Sequence, residues 1–230
     1  MTAVSMGRLL RAQLRIWLAQ RGLLVGIVLA LTVGLATAGL GSAVAGDFDT
    51  TVPTRIYAAA WLALGSLAGA APFRSRWAAV VLVVAPRRLR WLAACFGSVL
   101  AIALASTVIY GVLAAAIAAA SAPAAGAAVL THLWQPLAGV VLNVSVGFFL
   151  GAATRATAVA LTIGFVAVPA ISAFAVGPLD VGRWLNLQAV ADVFVTARLD
   201  GGLPILTALC AWLLAPALIT VWRLQHSAIR

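Results

Sequence analysis

Long apolar runs alternate with short polar linkers along this chain, and the runs have membrane length. About 20 consecutive apolar residues are needed to cross the hydrocarbon core of a bilayer as a helix. Residues 22–42 meet that length, from Gly22 through Leu40, and comparable runs follow at about 55–72, 91–118, 133–150, 158–176 and 203–222. The pattern predicts an all-α, polytopic membrane protein: one transmembrane domain over residues 1–230 with six spans. The first run ends at Ala43-Val44-Ala45, which has the look of a signal-peptide cleavage site. Its apolar core is longer than the 7–15 residues of a signal peptide, so it reads as a retained span.

The linkers carry patterns of their own. Residues 8–21 place Leu9, Leu10, Leu14, Trp17 and Leu18 at helical spacing, with Arg8, Arg11, Gln13 and Arg15 elsewhere on the wheel. Such a helix suits the membrane interface, with Trp17 at headgroup depth. Between the second and third runs stands FRSRWAAVVLVVAPRRLR, residues 73–90. Its apolar centre is too short to cross. Burying Arg74 and Arg76 at membrane depth would cost roughly 2.5–3.5 kcal/mol each on insertion scales. A helix along the cytoplasmic face is expected instead, closed by Pro86, since the residue before a proline avoids helical geometry. Residues 121–128 read as an external turn, Gly151 to Thr157 as a tight cytoplasmic turn, and Pro169 as a kink in the fifth span. The segment 177–202 holds Trp184, Leu185, Leu187, Val190, Val193 and Phe194, which predict a short helix lying back on the outer surface.

Charge orients these elements. The acids are all aspartates (Asp47, Asp49, Asp180, Asp192 and Asp200) and fall in two alternate linkers. Most arginines fall in the others: Arg8 to Arg21, Arg74 to Arg90, Arg155, Arg223 and Arg230. Positive charge is retained in the cytoplasm during insertion, so both termini are expected there, in a bacterial inner membrane.

Composition then removes whole classes of function. Hydrophobic residues are 64% and charged residues 9%, against about a quarter charged in soluble domains. The arginines are dispersed over span ends rather than gathered on one face, so no nucleic-acid partner is expected despite a net charge of +10. The chain has no lysine and no glutamate. It therefore carries no Walker-type phosphate loop, no Schiff-base lysine and no H-E-x-x-H zinc site. Cys95 and Cys210 sit inside apolar runs and read as small buried hydrophobes, and His132 and His226 are far apart in sequence; no catalytic set, metal site or cofactor site is expected. The pairs Gly22/Gly26, Gly65/Gly69 and Gly147/Gly151 have the spacing of close helix contacts and are candidates for a dimer interface. Within the spans, serines and threonines are expected to bond their own helix backbone. Asn143 has more hydrogen-bonding groups than one carbonyl can satisfy, which makes it the pathway candidate.

The layout as a whole resembles the permease subunit of ATP-binding-cassette type-2 exporters. The local matches are Ala85-Pro86-Arg87-Arg88-Leu89-Arg90-Trp91, similar to the family's proline-arginine entry to the third span, and Thr154-Arg155-Ala156-Thr157. The resemblance implies that the 73–90 helix couples to a cytoplasmic ATPase, with Arg74, Arg76, Trp77, Arg87, Arg88 and Arg90 as its docking surface. It also implies ATP and magnesium bound by that partner, a second permease copy or a related permease as the other half of the pathway, and outward movement of a lipid, peptide or drug. Family members often place an acidic residue and Gly-Thr ahead of the proline, where this chain has Phe73-Arg74-Ser75-Arg76-Trp77. That departure keeps open a second reading, a non-transporting anchor or regulatory subunit of an ATPase complex.

Overall fold

The computed structural model describes residues 6–45, 51–74, 88–121, 123–167, 184–187, 190 and 202–226. The described residues are helical, with no strand among them. The helices are α1 (Met6–Ala19), α2 (Arg21–Ala45), α3 (Thr51–Arg74), α4 (Arg88–Ser121), α5 (Pro123–Thr131), α6 (Trp134–Thr154), α7 (Thr157–Ala167) and α8 (Gly202–His226). Five of them, α2, α3, α4, α6 and α8, are long and apolar enough to cross a membrane. The chain is accordingly a multi-pass membrane protein. The fifth expected span, 158–176, is described only as far as Ala167, at the end of α7.

Several boundaries differ from the sequence reading, each for a local reason. Residues 121–128 are not a turn: Pro123 opens α5, a position where its missing N–H costs nothing. This short helix packs back on α4, and a Cβ on Gly126 would lie 2.7 Å from Ala119 Cβ. The tight turn after α6 shrinks to Arg155 and Ala156, because α6 continues to Thr154. Arg155 closes it in the left-handed conformation (φ 57°), its N–H donating to Gly151 O at 2.9 Å. Pro72 lies inside α3 instead of ending it. Helix α4, with 34 residues, is about 51 Å long and exceeds the 40–45 Å of a bilayer with its headgroups.

The centre of the bundle is the crossing of α3 and α6, where two glycine pairs interlock. Gly65 and Gly69 face the Val144–Ala152 stretch of α6, and Gly147 and Gly151 face Leu62, Ser66 and Ala70 of α3. A Cβ on any of the four would run into backbone atoms: on Gly65 it would lie 2.6 Å from Val144 O. In lipid, where hydrophobic burial gives no drive for association, such close approach supplies the dispersion contacts that hold helices together. These two pairs therefore act within one chain and not as a dimer interface. The third, Gly22/Gly26, has nothing within 4 Å of a Cβ on Gly22 and only the Leu64 side chain against Gly26.

Around that seam lie two apolar clusters. One joins Trp17, Leu23, Tyr57, Trp61, Trp91, Val99, Tyr110, Val144, Phe148 and Leu224 across α1, α2, α3, α4, α6 and α8. The other joins Leu62, Val146, Leu150, Ala160, Leu187, Val190 and Trp212. Helix α2 covers only one flank. Leu24, Val25, Val28, Leu29 and Val33 are exposed, a surface suited to lipid.

Two π-helical segments interrupt the later helices, Ile163–Ala167 in α7 and Cys210–Leu214 in α8. The second has a visible cause. Pro216 has no N–H for Trp212 O and its ring crowds that carbonyl, so the ladder loosens and Ala215 N–H bonds Cys210 O instead. In sequence, Pro169 stands at the same distance from Phe165. The expected kink at Pro169 itself lies outside the described residues.

Candidate functional site: the arginine end and the polar seam

Helix direction alternates, so the end of α3, the start of α4, the ends of α6 and α8, and α1 meet at one end of the bundle. This end is rich in arginine. Arg88, in the first turn of α4, donates from Nη1 to Leu224 O at 2.6 Å. Arg223 of α8 donates from Nη1 to Ala153 O at 2.5 Å, at the end of α6. Arg155 lies 5.1 Å over the Phe73 ring at the end of α3, a cation–π contact. Phe73 in turn meets Trp91 edge-on at 6.2 Å. Helix C-termini have carbonyls without intrahelical partners and a partial negative charge. Arginines from other helices cap them here, tying α4, α6 and α8 together. Burial, and after it the like charge of Arg223, push the Arg155 guanidinium below its usual value; it stays protonated.

The sequence candidates divide at this end. Arg88 is half-buried and holds the bundle together, whereas Arg90, two residues on, is exposed. Arg74 closes α3, with its side chain outside the described residues. Arg76, Trp77 and Arg87 also lie outside them. Arg155 and Arg223 join this end only through the fold; in sequence the Thr154-Arg155 turn is the one signal for them. Trp17 of α1 is buried here against a small cavity of about 50 Å³ lined by Gln13, Ile16, Gln20, Ala71, Pro72 and Trp91. The amphipathic lead-in thus docks on the bundle through its tryptophan, and not through Leu18, which is half exposed.

A polar seam crosses the interior. Tyr57 of α3 and Tyr110 of α4 stack with centroids 4.3 Å apart and planes within 4°. Tyr57 OH and Ser106 Oγ share a short hydrogen bond of 2.5 Å. Gly34 of α2 presses on both rings; a Cβ there would lie 3.0 Å from Tyr110. Beyond Tyr110, toward the opposite end of the bundle from the arginines, opens a cavity of about 460 Å³ between α3, α4, α5 and α6. Thr54, Tyr110, His132 and Gln135 give its wall polar points among Ala, Val and Leu. That volume suits a small amphiphile. The clue in sequence was modest: the chain has only two tyrosines, and both fall inside apolar runs.

Asn143, the pathway candidate, sits in the middle of α6, half-buried, and donates from Nδ2 to Gly139 O of its own helix at 2.9 Å. Ser66, Ser98, Thr107, Ser145 and Thr162 likewise bond carbonyls one turn back, as expected for hydroxyls in apolar helices. Ser106 instead meets Tyr57, and Thr207 and Thr220 also reach beyond their own helix, to Trp184 O and Phe149 O.

Of the 177–202 segment, residues 184–187 and 190 are described, and the side chains of Leu187 and Val190 face the bundle, buried with Val146 and Trp212. Trp212 Nε1 donates to Leu185 O at 2.7 Å, and Thr207 Oγ1 donates to Trp184 O at 2.8 Å. Trp212 is about 15 Å along α8 from Gly202 at 1.5 Å per residue. Trp184 and Leu185 therefore meet α8 at Thr207 and Trp212. Lipid gives exposed carbonyls no partner, so side-chain donors on α8 supply one.

Among the described residues no group of His, Cys, Asp or Glu could hold a metal ion. Comparison with family models, with curated proteins and with solved structures finds no match.

Proposed function

We propose that this chain is the membrane-spanning permease subunit of an ATP-driven exporter, moving a hydrophobic or amphiphilic cargo outward. Its six spans leave both termini and the arginine end in the cytoplasm. ATP and magnesium bind a separate cytoplasmic ATPase, because a chain without lysine has no phosphate-loop site of its own. A second copy, or a related permease, completes the pathway.

The observation that carries the reading is the clasp at the arginine end. An ATPase can drive a permease only by a contact that differs between two states and that moves a rigid body. The 75–87 segment joins α3 to α4, and both helices are locked into the bundle right beside it: Phe73 through Arg155 and Trp91, and Arg88 through Leu224. Movement of the ends of α3 and α4 would reach α6 and α8 through these contacts. Arg74, Arg76, Trp77, Arg87 and Arg90 are left as the docking surface, and Arg88 becomes its anchor. The neutral polar seam and the 460 Å³ cavity fit an uncharged or amphiphilic cargo better than an ion.

The test is to isolate the tagged chain from its native membrane in mild detergent and assay ATP hydrolysis in the isolate. A co-isolated ATPase whose turnover rises with added amphiphile supports the exporter. A co-isolated ATPase indifferent to every cargo tried supports the anchor or regulatory subunit instead, and no ATPase at all refutes both.

A further inference from the structure

The cavity beyond Tyr110 has a polar end and an apolar end, and the fold sets which is which. On its wall Tyr110 OH and the Thr54 side chain share a hydrogen bond. The Leu133 side chain occupies the space over Gly111, the next residue of α4, so the turn into α6 stands level with Tyr110. That turn brings His132 and Gln135 to the same depth, and both line the cavity. Further along α4 the walls are apolar, with Ala125, Ala128 and Val129 of α5 across from Ala114. The two helices join beside it at Gly126, where a Cβ would lie 2.9 Å from Ala115 O.

These features select a ligand. A hydroxyl has one hydrogen and two lone pairs, so two hydroxyls sharing one bond keep a hydrogen and lone pairs for a third group. Two hydroxyls, an imidazole and a primary amide suit a head that both donates and accepts. They suit an uncharged head, because a charge taken out of water needs an opposite charge beside it. A volume of about 460 Å³ lies in the range of small-molecule pockets. Exposed His132 and Ala128 place the mouth beside α5 and the start of α6, at the end of the bundle.

We propose that this cavity binds one uncharged single-chain amphiphile with a hydroxyl head, the hydroxyl at Tyr110 and Thr54 and the chain between α4 and α5. The ring of Tyr110, stacked on Tyr57, forms a fixed floor for the head. Binding here needs no ATPase, so the site stands apart from the exporter reading, and the failure of either leaves the other standing.

The site can be tested on the purified full chain in detergent with a diazirine analogue of octanol, the photolabelled residues being mapped by mass spectrometry. Label within 110–136 should fall as octanol is added, whereas label on the exposed face of α2, around Val25 and Val28, should not. Octanoate has the same chain length and a charged head, and should leave the label in place. Ala128→Phe fills the cavity from an exposed position of α5 and should abolish the competed label while sparing that on α2. Tyr110→Phe/Thr54→Val removes both hydroxyls together, so neither is stranded and the fold should survive. Octanol should then compete about fivefold more weakly, the worth of one net hydrogen bond. Octane, which has no head, should compete equally in wild type and in this variant. The proposal is overturned by the absence of competed label within 110–136, or by its persistence in Ala128→Phe. Equal competition by octanoate and octanol would overturn it too, as would a double variant in which octanol competes undiminished or octane loses as much as octanol.

Discussion

Substituting alanine for Gly65 on α3 tests the packing account most sharply, because two known effects oppose each other there. Alanine is favoured over glycine inside a helix by about 1 kcal/mol. Against this, the new Cβ would lie 2.6 Å from Val144 O, where ordinary contact begins at 3.4 Å, so α3 and α6 would have to part by about 0.8 Å. The obstacle is backbone and cannot rotate away. A gap of that size forfeits roughly a quarter to a half of each dispersion contact along the seam, and overpacking of this kind costs about 1–3 kcal/mol. The clash therefore wins, narrowly for one alanine and clearly for the pair Gly65→Ala/Gly147→Ala. Gly22→Ala is the control: a Cβ there meets nothing within 4 Å, so only the propensity gain remains. Thermal midpoints in detergent, read by loss of the monodisperse peak in size-exclusion chromatography, should fall for the single seam variant and fall further for the double. The midpoint of Gly22→Ala should hold or rise. A seam double variant as stable as wild type would refute the interlocked α3–α6 crossing.

Three further outcomes follow from the interior. Tyr57→Phe strands Ser106 Oγ and should cost about 1–2 kcal/mol, while Tyr57→Phe/Ser106→Ala recovers part of the loss; a double-mutant cycle without coupling would contradict the 2.5 Å bond. Trp212→Phe removes the donor to Leu185 O, so a cysteine placed at Val190, buried in wild type, should gain reactivity toward maleimide; unchanged protection would mean the segment is held by other contacts. Of the native cysteines, Cys210 is exposed on α8 and Cys95 is buried, so in detergent a small uncharged maleimide should react with Cys210 before Cys95; equal rates would contradict their placement.

What the sequence disclosed followed the strength of its signals. Apolar length was a strong signal, and it correctly marked α2, α3, α4, α6 and α8 as membrane-length helices, because little else explains such runs. Helix ends are harder to see. Gly151, Ser121 and Pro123 are turn-forming residues and suggest breaks, whereas in the bundle Gly151 serves contact with Ser66 and Pro123 starts a helix. The glycine pairs were visible as a pattern, but spacing alone does not say whether the partner helix belongs to the same chain. The polar seam was hidden for a related reason: Tyr57 and Tyr110 are 53 positions apart, and only the fold stacks them. At the arginine end, single arginines read as charge for orientation. Their use as caps on α6 and α8 depends on carbonyls at Ala153 and Leu224 that no pattern marks.

The most direct test of the exporter reading is recovery of an ATPase with the tagged chain, compared across two sets of arginine variants. Arg87→Glu/Arg90→Glu alters the proposed docking surface, whereas Arg88→Glu breaks the bond to Leu224 O inside the bundle. The account predicts that the first loses the ATPase at an unchanged thermal midpoint, and that the second lowers the midpoint itself. Full ATPase recovery with Arg87→Glu/Arg90→Glu would contradict the assignment of the 73–90 segment as the coupling element.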